Sequence, residues 1–340
     1  MSDRTLNMEI ANLICRFGDQ VLLDHIEDIV LPAFFDVNLV RRYEMTSHFL
    51  HQVSLVKLQE NNNEVFVGLA GRFIKDTTLR REQIFEQGKG LVKDPGLMRS
   101  SPSAIFLLIL NNHRLVYVRE TRDAPTKESF KATLLAFLRK KHKDYIKKEY
   151  EKNKVERRKF PNLPKVTKRD LYEFLPNPTL DLIPLTSEDS IENFINKYNV
   201  LKTIEIFLSD RNDENDNDRF FEELQRRKDA IGSARSVVKH INNGGLNKEA
   251  AVKEVTEATL QGNQSVKLSG FDSEGDKLIG NNEHFQLRKP IDDLSDAPEK
   301  AAYDLYRSFI GLAEEGLIKL PPTSEKAMRI INSLIQRLSS

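Results

Sequence analysis

The chain has 340 residues, 39% of them hydrophobic and 30% charged, one cysteine and a formal net charge of +1. That length suits two domains, and a single cysteine excludes an internal disulfide, in keeping with a reducing cytoplasm. A net charge near zero excludes attraction of the whole molecule to a polyanion, so any such attraction has to come from a local patch.

The first apolar segment, MEIANLICRF at 8–17, holds the cysteine and reads as a buried strand. In VLLDHIEDIVLPAFF, Leu22, Ile26, Ile29 and Val30 recur at helical spacing, which predicts a helix ending near Pro32. FLHQVSLVKL and EVFVGLAGRFI flank the polar QENNN and predict a hairpin over 49–74. SAIFLLIL and RLVYVRE flank NNH and predict another over 103–120, with GKGLVKDPGLMRSSPS as the loop between the two pairs. AIFLLIL, 104–110, is the longest clean apolar run and spans only about a third of a bilayer crossing, so no membrane insertion is expected. No secretory segment opens the sequence, and the expected location is the cytoplasm.

Thr126 is a plain helix N-cap; Ser129 rather than Glu or Gln follows three residues later, so no capping box forms. Leu134, Leu135, Leu138, Tyr145 and Ile146 give the helix one apolar stripe, and FPNLPKV ends it. Beyond it TLDLIPL predicts a strand, SEDSIENFINKY a helix capped by Ser187, and VLKTIEIFL a strand. DRFFEELQRRKDAIGSARSVVKHI predicts one helix over 218–241, and NKEAAVKEVTEATL the next. QSVKLSGF and KLIGNNEHFQL form a hairpin about DSEGD, and APEKAAYDLYRSFIGLAEEG is a helix ending at Gly316. A last helix, 323–338, sets Ala327, Ile330, Ile331, Leu334 and Leu338 on one stripe. The fold class is α+β in two domains. An antiparallel-sheet N-terminal domain at 1–125 is followed by a long basic helix and linker at 126–166. An α+β C-terminal domain with a strand-helix-strand unit and a hairpin occupies 167–318, and an amphipathic helix 319–340.

Catalytic and metal signatures are missing. There is no G-x-S-x-G, and GKGL at 88–91 lacks the spacing and hydroxyl of a phosphate loop. His48 and His51 stand three apart on a strand and face opposite sides. DRNDENDND at 210–218 carries Asn215 and Phe221 where a calcium loop needs Gly and Glu. Asp272, Glu274, Asp276 and Lys277 have the residue types of a metal-dependent nuclease but crowd into one turn. No catalytic residue, metal or cofactor is expected.

One segment is distinctive in charge. Between Arg139 and Lys159 lie eleven Lys or Arg and four acids, a local net of +7, while the rest of the chain sums to about −6. Lys140, Lys147 and Lys154 repeat at seven, as do Lys141 and Lys148, beside the Leu138–Tyr145 stripe; Asp144 to Lys148 is the clear acid-first pair. A solvated helix is usually more mixed in sign, whereas unpaired cations at helical spacing suit a phosphate backbone. The candidate DNA-binding residues are Lys140, Lys141, Lys143, Lys147, Lys148, Lys154, Arg157, Arg158 and Lys159. A second set, Arg226, Arg227 and Lys239 with Lys228 and Arg235, falls on the predicted 218–241 helix. Docking of the ribbon on an acidic surface is the other reading.

The hairpin around QENNNEVFVG, the hairpin SSPSAIFLLILNNHRLVYVRE with its following helix, and GNQSVKLSGFDSEGDKLIGNNEHFQLRKPIDDL come in a distinctive order. With SGFDSEGDKL leading to LRKPI as the best piece, the chain resembles the RexA-type phage-exclusion proteins and, more distantly, Kiwa-type defence components, over roughly 45–315. The 319–340 extension and much of the basic ribbon have no counterpart there. The resemblance implies a cytosolic, two-domain, dimeric protein that binds DNA with little sequence preference and stops phage growth. It also implies a second defence protein as partner or effector, with the membrane as one location for it, and it carries over no catalytic residues. The stripe at 323–338 separately predicts a homodimer unless it folds back onto its own chain. The expected function is a sequence-tolerant DNA-binding component of an anti-phage system, either abortive infection or phage exclusion. The alternatives are a metal-dependent defence nuclease and an adaptor whose basic ribbon meets an acidic partner.

Overall fold

The computed structural model describes residues 5–61, 64–208, 212, 219–233, 235–259, 261–291 and 294–338. The fold is α+β, with every strand pairing antiparallel and two separate sheets.

β1 (Leu6–Phe17) and the short β2 (Gln20–Val21) lead into a 3-10 turn at Leu22–His25, a π turn at Ile26–Val30 and α1 (Leu31–Phe35). The predicted helix therefore runs on through Pro32 instead of ending there. Pro32 sits in the first turn of α1, where its missing N–H leaves no helical bond unmade. β3 (Arg41–Tyr43), β4 (Thr46–Asn61) and β5 (Glu64–Glu86) follow, then β6 (Gly90–Ser100), β7 (Ser103–Ile109) and β8 (Arg114–Arg119). β6 replaces the predicted loop. Pro95 and Gly96 suggest a break, but the strand pairs with β5 from Thr77↔Ser100 to Glu86↔Gly90 and takes up the irregularity in a register shift between Arg81 and Gln83. α2 (Lys127–Lys159) and α3 (Lys168–Phe174) come next, then β9 (Thr179–Pro184), α4 (Glu188–Ile195) and β10 (Val200–Leu208). After them come α5 (Arg219–Ala230), β11 (Ser236–Ile241), α6 (Lys248–Thr259), β12 (Gln264–Phe271), β13 (Lys277–Asn281), β14 (Arg288–Ile291), α7 (Pro298–Glu314) and α8 (Glu325–Leu338). The predicted 218–241 helix is thus a helix and a strand. Gly232, at φ +66°, turns the chain after α5, and β-branched Val237, Val238 and Ile241 suit β11.

The first sheet runs β14-β1-β8-β7-β5-β4-β3, and β9 pairs with β1 as well. β1 meets β14 through Leu6–Glu9 and β9 through Ala11–Arg16. Both faces of the sheet's central strands β1, β7 and β8 are buried, which explains why they read as continuous apolar runs, while β6 and the far half of β5 extend beyond the core. Ala11, Leu13, Phe106, Leu108 and Tyr117 face a core closed by α1, α2 and the Ala327, Ile331 and Leu334 stripe of α8. Ile10, Ile105, Leu107 and Val116 face a second core closed by Ala301, Leu305 and Phe309 of α7. Gly316, at φ +74°, takes the left-handed turn that ends α7.

The segments 1–125, 126–166, 167–318 and 319–340 do not coincide with the sheets. β9, β14 and α7, all within 167–318, belong to the layers of the first sheet, as does α8. The predicted strand-helix-strand unit is split: β9 joins the first sheet and β10 the second. The second sheet, β11-β10-β12-β13, has its own core with α4, α5 and α6. The α8 stripe that motivated a homodimer packs in its own chain.

Candidate nucleic-acid interface

α2 has one buried side and one exposed side. The Thr126 Oγ1 accepts from the Ser129 N–H at 3.2 Å, capping the helix without a capping box. Phe130 packs edge-on to Phe73 and against Phe106 and Tyr117, with ring centroids 5.1–5.9 Å apart. Leu134, Phe137, Leu138, His142 and Ile146 continue the buried stripe. Two ion pairs fix the helix sideways: Lys131 Nζ to Asp181 of β9 at 2.8 Å and Lys141 Nζ to Asp36 at 2.6 Å. The hydrogen bond from Lys141 holds the Asp36 carboxyl below its usual range, with the Asn38 N–H helping. His142 is fully buried, with its Nε2 2.9 Å from the Leu175 carbonyl oxygen; a neutral ring donates from there and leaves Nδ1 unprotonated. Burial lowers its pKa.

Of the nine ribbon residues, the structure separates two from the exposed row. Lys141 is drawn in by Asp36, and the half-buried Arg157 donates from Nε to the Leu163 carbonyl at 3.0 Å, fastening the linker that follows the helix. Lys140, Lys143, Lys147, Lys148, Lys154, Arg158 and Lys159 are exposed. Lys140, Lys143, Lys147, Lys154 and Arg158 fall within about 60° of one another around a helix of 3.6 residues per turn, and span about 27 Å of its axis. Lys154 approaches Glu151 at 3.9 Å, and Lys152 approaches Glu149 at the same distance. Among the described residues no ion pair forms on Lys140, Lys143, Lys147 or Arg158. Arg157, Arg158 and Lys159 occupy the last turn, where the helix dipole favours cations.

The second basic set does not form one row. Arg226 and Arg227 on α5 both engage Glu223, Arg227 at 3.0 Å. Lys239 lies on β11, across from Glu205 of β10 and paired with it at 2.6 Å. Lys228 is buried beside Asp229 at 3.4 Å.

The acidic run 210–218 lies outside the described residues apart from Asn212. That side chain is buried and donates to Asn12 Oδ1 at 3.0 Å and to the Leu13 carbonyl at 3.1 Å, tying this segment to β1. In the hairpin turn, Asp272 Oδ1 accepts the N–H groups of Glu274 at 2.9 Å and Asp276 at 3.0 Å, a turn-closing role. His48 is buried against Phe73 while His51 is exposed on the other side of β4. Among the described residues no group of three or more His, Cys, Asp or Glu stands together to hold a metal, and no helix is long and apolar enough to cross a membrane. Burial pushes the Cys15 thiol up to about 12.

One polar cluster escaped the sequence reading. Lys127, the first residue of α2, is buried with Glu9 of β1 at 3.2 Å and reaches Glu283 at 3.4 Å and the Gln286 side-chain oxygen. Arg288 and Arg119 approach the same Glu9 at 3.4 and 4.0 Å. A buried pair of this kind is held in place by its partners more than it adds stability; here it joins α2 to the segment returning from the second sheet. The only signal was a Glu inside the apolar run MEIANL.

No protein-family model matches the chain, and no curated protein matches it.

Proposed function

We propose that the outward row of α2 binds the phosphate backbone of duplex DNA with little regard to sequence, and that the chain serves in this way as a component of an anti-phage system. Support for DNA contact comes from one observation. Lys140, Lys143, Lys147 and Arg158 share an exposed side of a helix fixed in the core, with no acid paired to them among the described residues. A rigid row of cations neutralises successive phosphates without reordering itself, and the counterions released drive binding. Contacts of this kind position a protein and carry no base information. The anti-phage role rests on the resemblance to RexA-type proteins, and it needs no chemical step by the chain itself.

The test is fluorescence anisotropy on unrelated duplexes across a salt series, for the wild type and for Lys140→Gln/Lys147→Gln/Arg158→Gln. Each lost phosphate contact removes about 0.9 from the slope of log affinity against log salt, so the slope should flatten by roughly 2 to 3, with affinity falling equally for all duplexes. An unchanged slope and affinity would discard the row as the grip. Metal-dependent cleavage of plasmid DNA would instead favour a nuclease.

A further inference from the structure

The two faces of the second sheet differ. Ile204, Ile206, Leu208, Val266 and Leu268 point to the core beneath α4, α5 and α6. Their neighbours in sequence point the other way, onto a face that carries no helix among the described residues. In register, Val237, Phe207 and Ser265 form one row; Lys239, Glu205, Lys267 and Asn281 a second; Ile241, Thr203, Ser269 and Ile279 a third; Phe271 and Lys277 lie at the far end.

A solvated sheet face ordinarily carries mixed charges and few large apolar groups. This one departs in three ways. Half-buried phenyl rings, Phe207 and Phe271, stand on the two central strands, and Val237, Ile241 and Ile279 are exposed beside them. Its charges are Lys239, Lys267 and Lys277 against Glu205 alone. A bulge between Leu201 and Thr203 sets out a fourth lysine, Lys202, whose ammonium lies 4.7 Å from the centroid of the Phe271 ring. At the Phe207 end the face runs into a cleft of about 310 Å³ between the two sheets, where Glu128, Asp181 and Glu283 outnumber Lys131 and Arg235, so the positive charge belongs to the open face and not to the cleft.

Flat apolar rings set among lysines match a polyanion that has flat rings of its own to stack. Duplex DNA hides those rings within its stack, whereas a single strand offers them. We propose that the open face of the second sheet binds single-stranded nucleic acid, with bases on Phe207 and Phe271 and phosphates at Lys202, Lys267 and Lys277. Six residue steps along β12 lead from Ser265, opposite Phe207, to Phe271, about 20 Å of strand, so an occupant must be an extended strand of several nucleotides. This surface shares no residue with the α2 row, and either one stands without the other.

The experiment measures anisotropy of a labelled oligothymidine, the matching oligouridine and a duplex. Phe207→Leu/Phe271→Leu keeps apolar volume and removes the stacking surface; it should weaken single-strand binding by about fivefold to a hundredfold and leave duplex binding alone. Lys267→Gln/Lys277→Gln, which keeps both rings, should lower the single-strand salt slope by about 1.4 and serves as the second route if the Leu variant melts early. The two oligonucleotides distinguish DNA from RNA as the source of the strand. The inference is overturned if the wild type fails to retain either oligonucleotide at low salt, or if both variants bind like the wild type. It is also overturned if the α2 triple Gln variant abolishes single-strand and duplex binding together. A wild-type dimer that the Leu variant dissociates in light scattering, with oligonucleotide affinity unchanged, would overturn it too and name a second copy as the occupant.

Discussion

The central strands of the first sheet, β1, β7 and β8, are buried on both faces, and the second sheet is buried on one. In the first, side chains pointing up from β1, β7 and β8 meet α1, α2 and α8, and those pointing down meet α7. In the second, only one face has a core, with α4, α5 and α6 on it. Residue choice follows coverage. AIFLLIL is apolar throughout because each side chain has a helix to meet, while KTIEIF alternates because half its side chains have water. A doubly covered sheet is a scaffold; a singly covered one keeps a surface that can bind something.

The sharpest way to break this contrast is Phe130→Ala. That ring is fully buried between α2 and the first sheet, and removal should cost about 3–5 kcal/mol, read from urea unfolding. A loss below about 1 kcal/mol would mean that α2 is not seated as described, and its outward row would lose its rigid base.

Gly270→Ala examines whether the second sheet is as tight on its covered side. A Cβ there would collide with the Val200 carbonyl oxygen, so the backbone has to shift. A cost of about 1–3 kcal/mol is expected by the same measurement. A neutral result would show the β10–β12 pairing to be looser than its register implies.

The pH dependence of stability should come from the first sheet. His25, His48 and His142 all pack into its layers, and burial lowers each pKa below 6.5. The unfolded chain then binds more protons, so the stability these rings contribute is complete above about 6.5 and is lost as pH falls from there through the lower folded values. The melting temperature should therefore drop between about pH 7 and pH 5, and His142→Gln should make that slope shallower. A slope unchanged in this variant would remove His142 from the account.

The smallest effect belongs to the open face. Ile279→Thr replaces an exposed side chain with another β-branched one and should change stability by no more than about 0.5 kcal/mol. A loss approaching that of Phe130→Ala would show that something covers this face.

Local chemistry was legible in the sequence. Thr126, the Leu134–Ile146 stripe and FPNLPKV defined α2 to its ends, and the QENNN, NNH and DSEGD turns placed three hairpins correctly. The failures have physical reasons. Pro95 and Gly96 hid β6, since a bulge admits residues that a regular strand rejects. Val237 and Val238 were read as helix because the charged stretch before them set the period. Pairings between distant segments, β1 with β9 and β14, leave no local signal, and neither does the Glu9–Lys127 contact. In the ribbon, composition gave the excess of charge, but only the position of Asp36 shows that Lys141 is taken.

The pairing of β1 with β14 has a consequence for synthesis. Leu6 lies opposite Ile291, so the first sheet to be started is among the last to be finished. On the ribosome β9 can fill the Ala11–Arg16 part of that edge, but Leu6–Glu9 has to wait for β14 until nearly three hundred residues have emerged. The second sheet draws all its strands from 200–281 and can close before that edge is filled. The nascent chain therefore carries a short open edge at the start of β1 beside an already folded lobe, and that interval is when it is most exposed to mispairing.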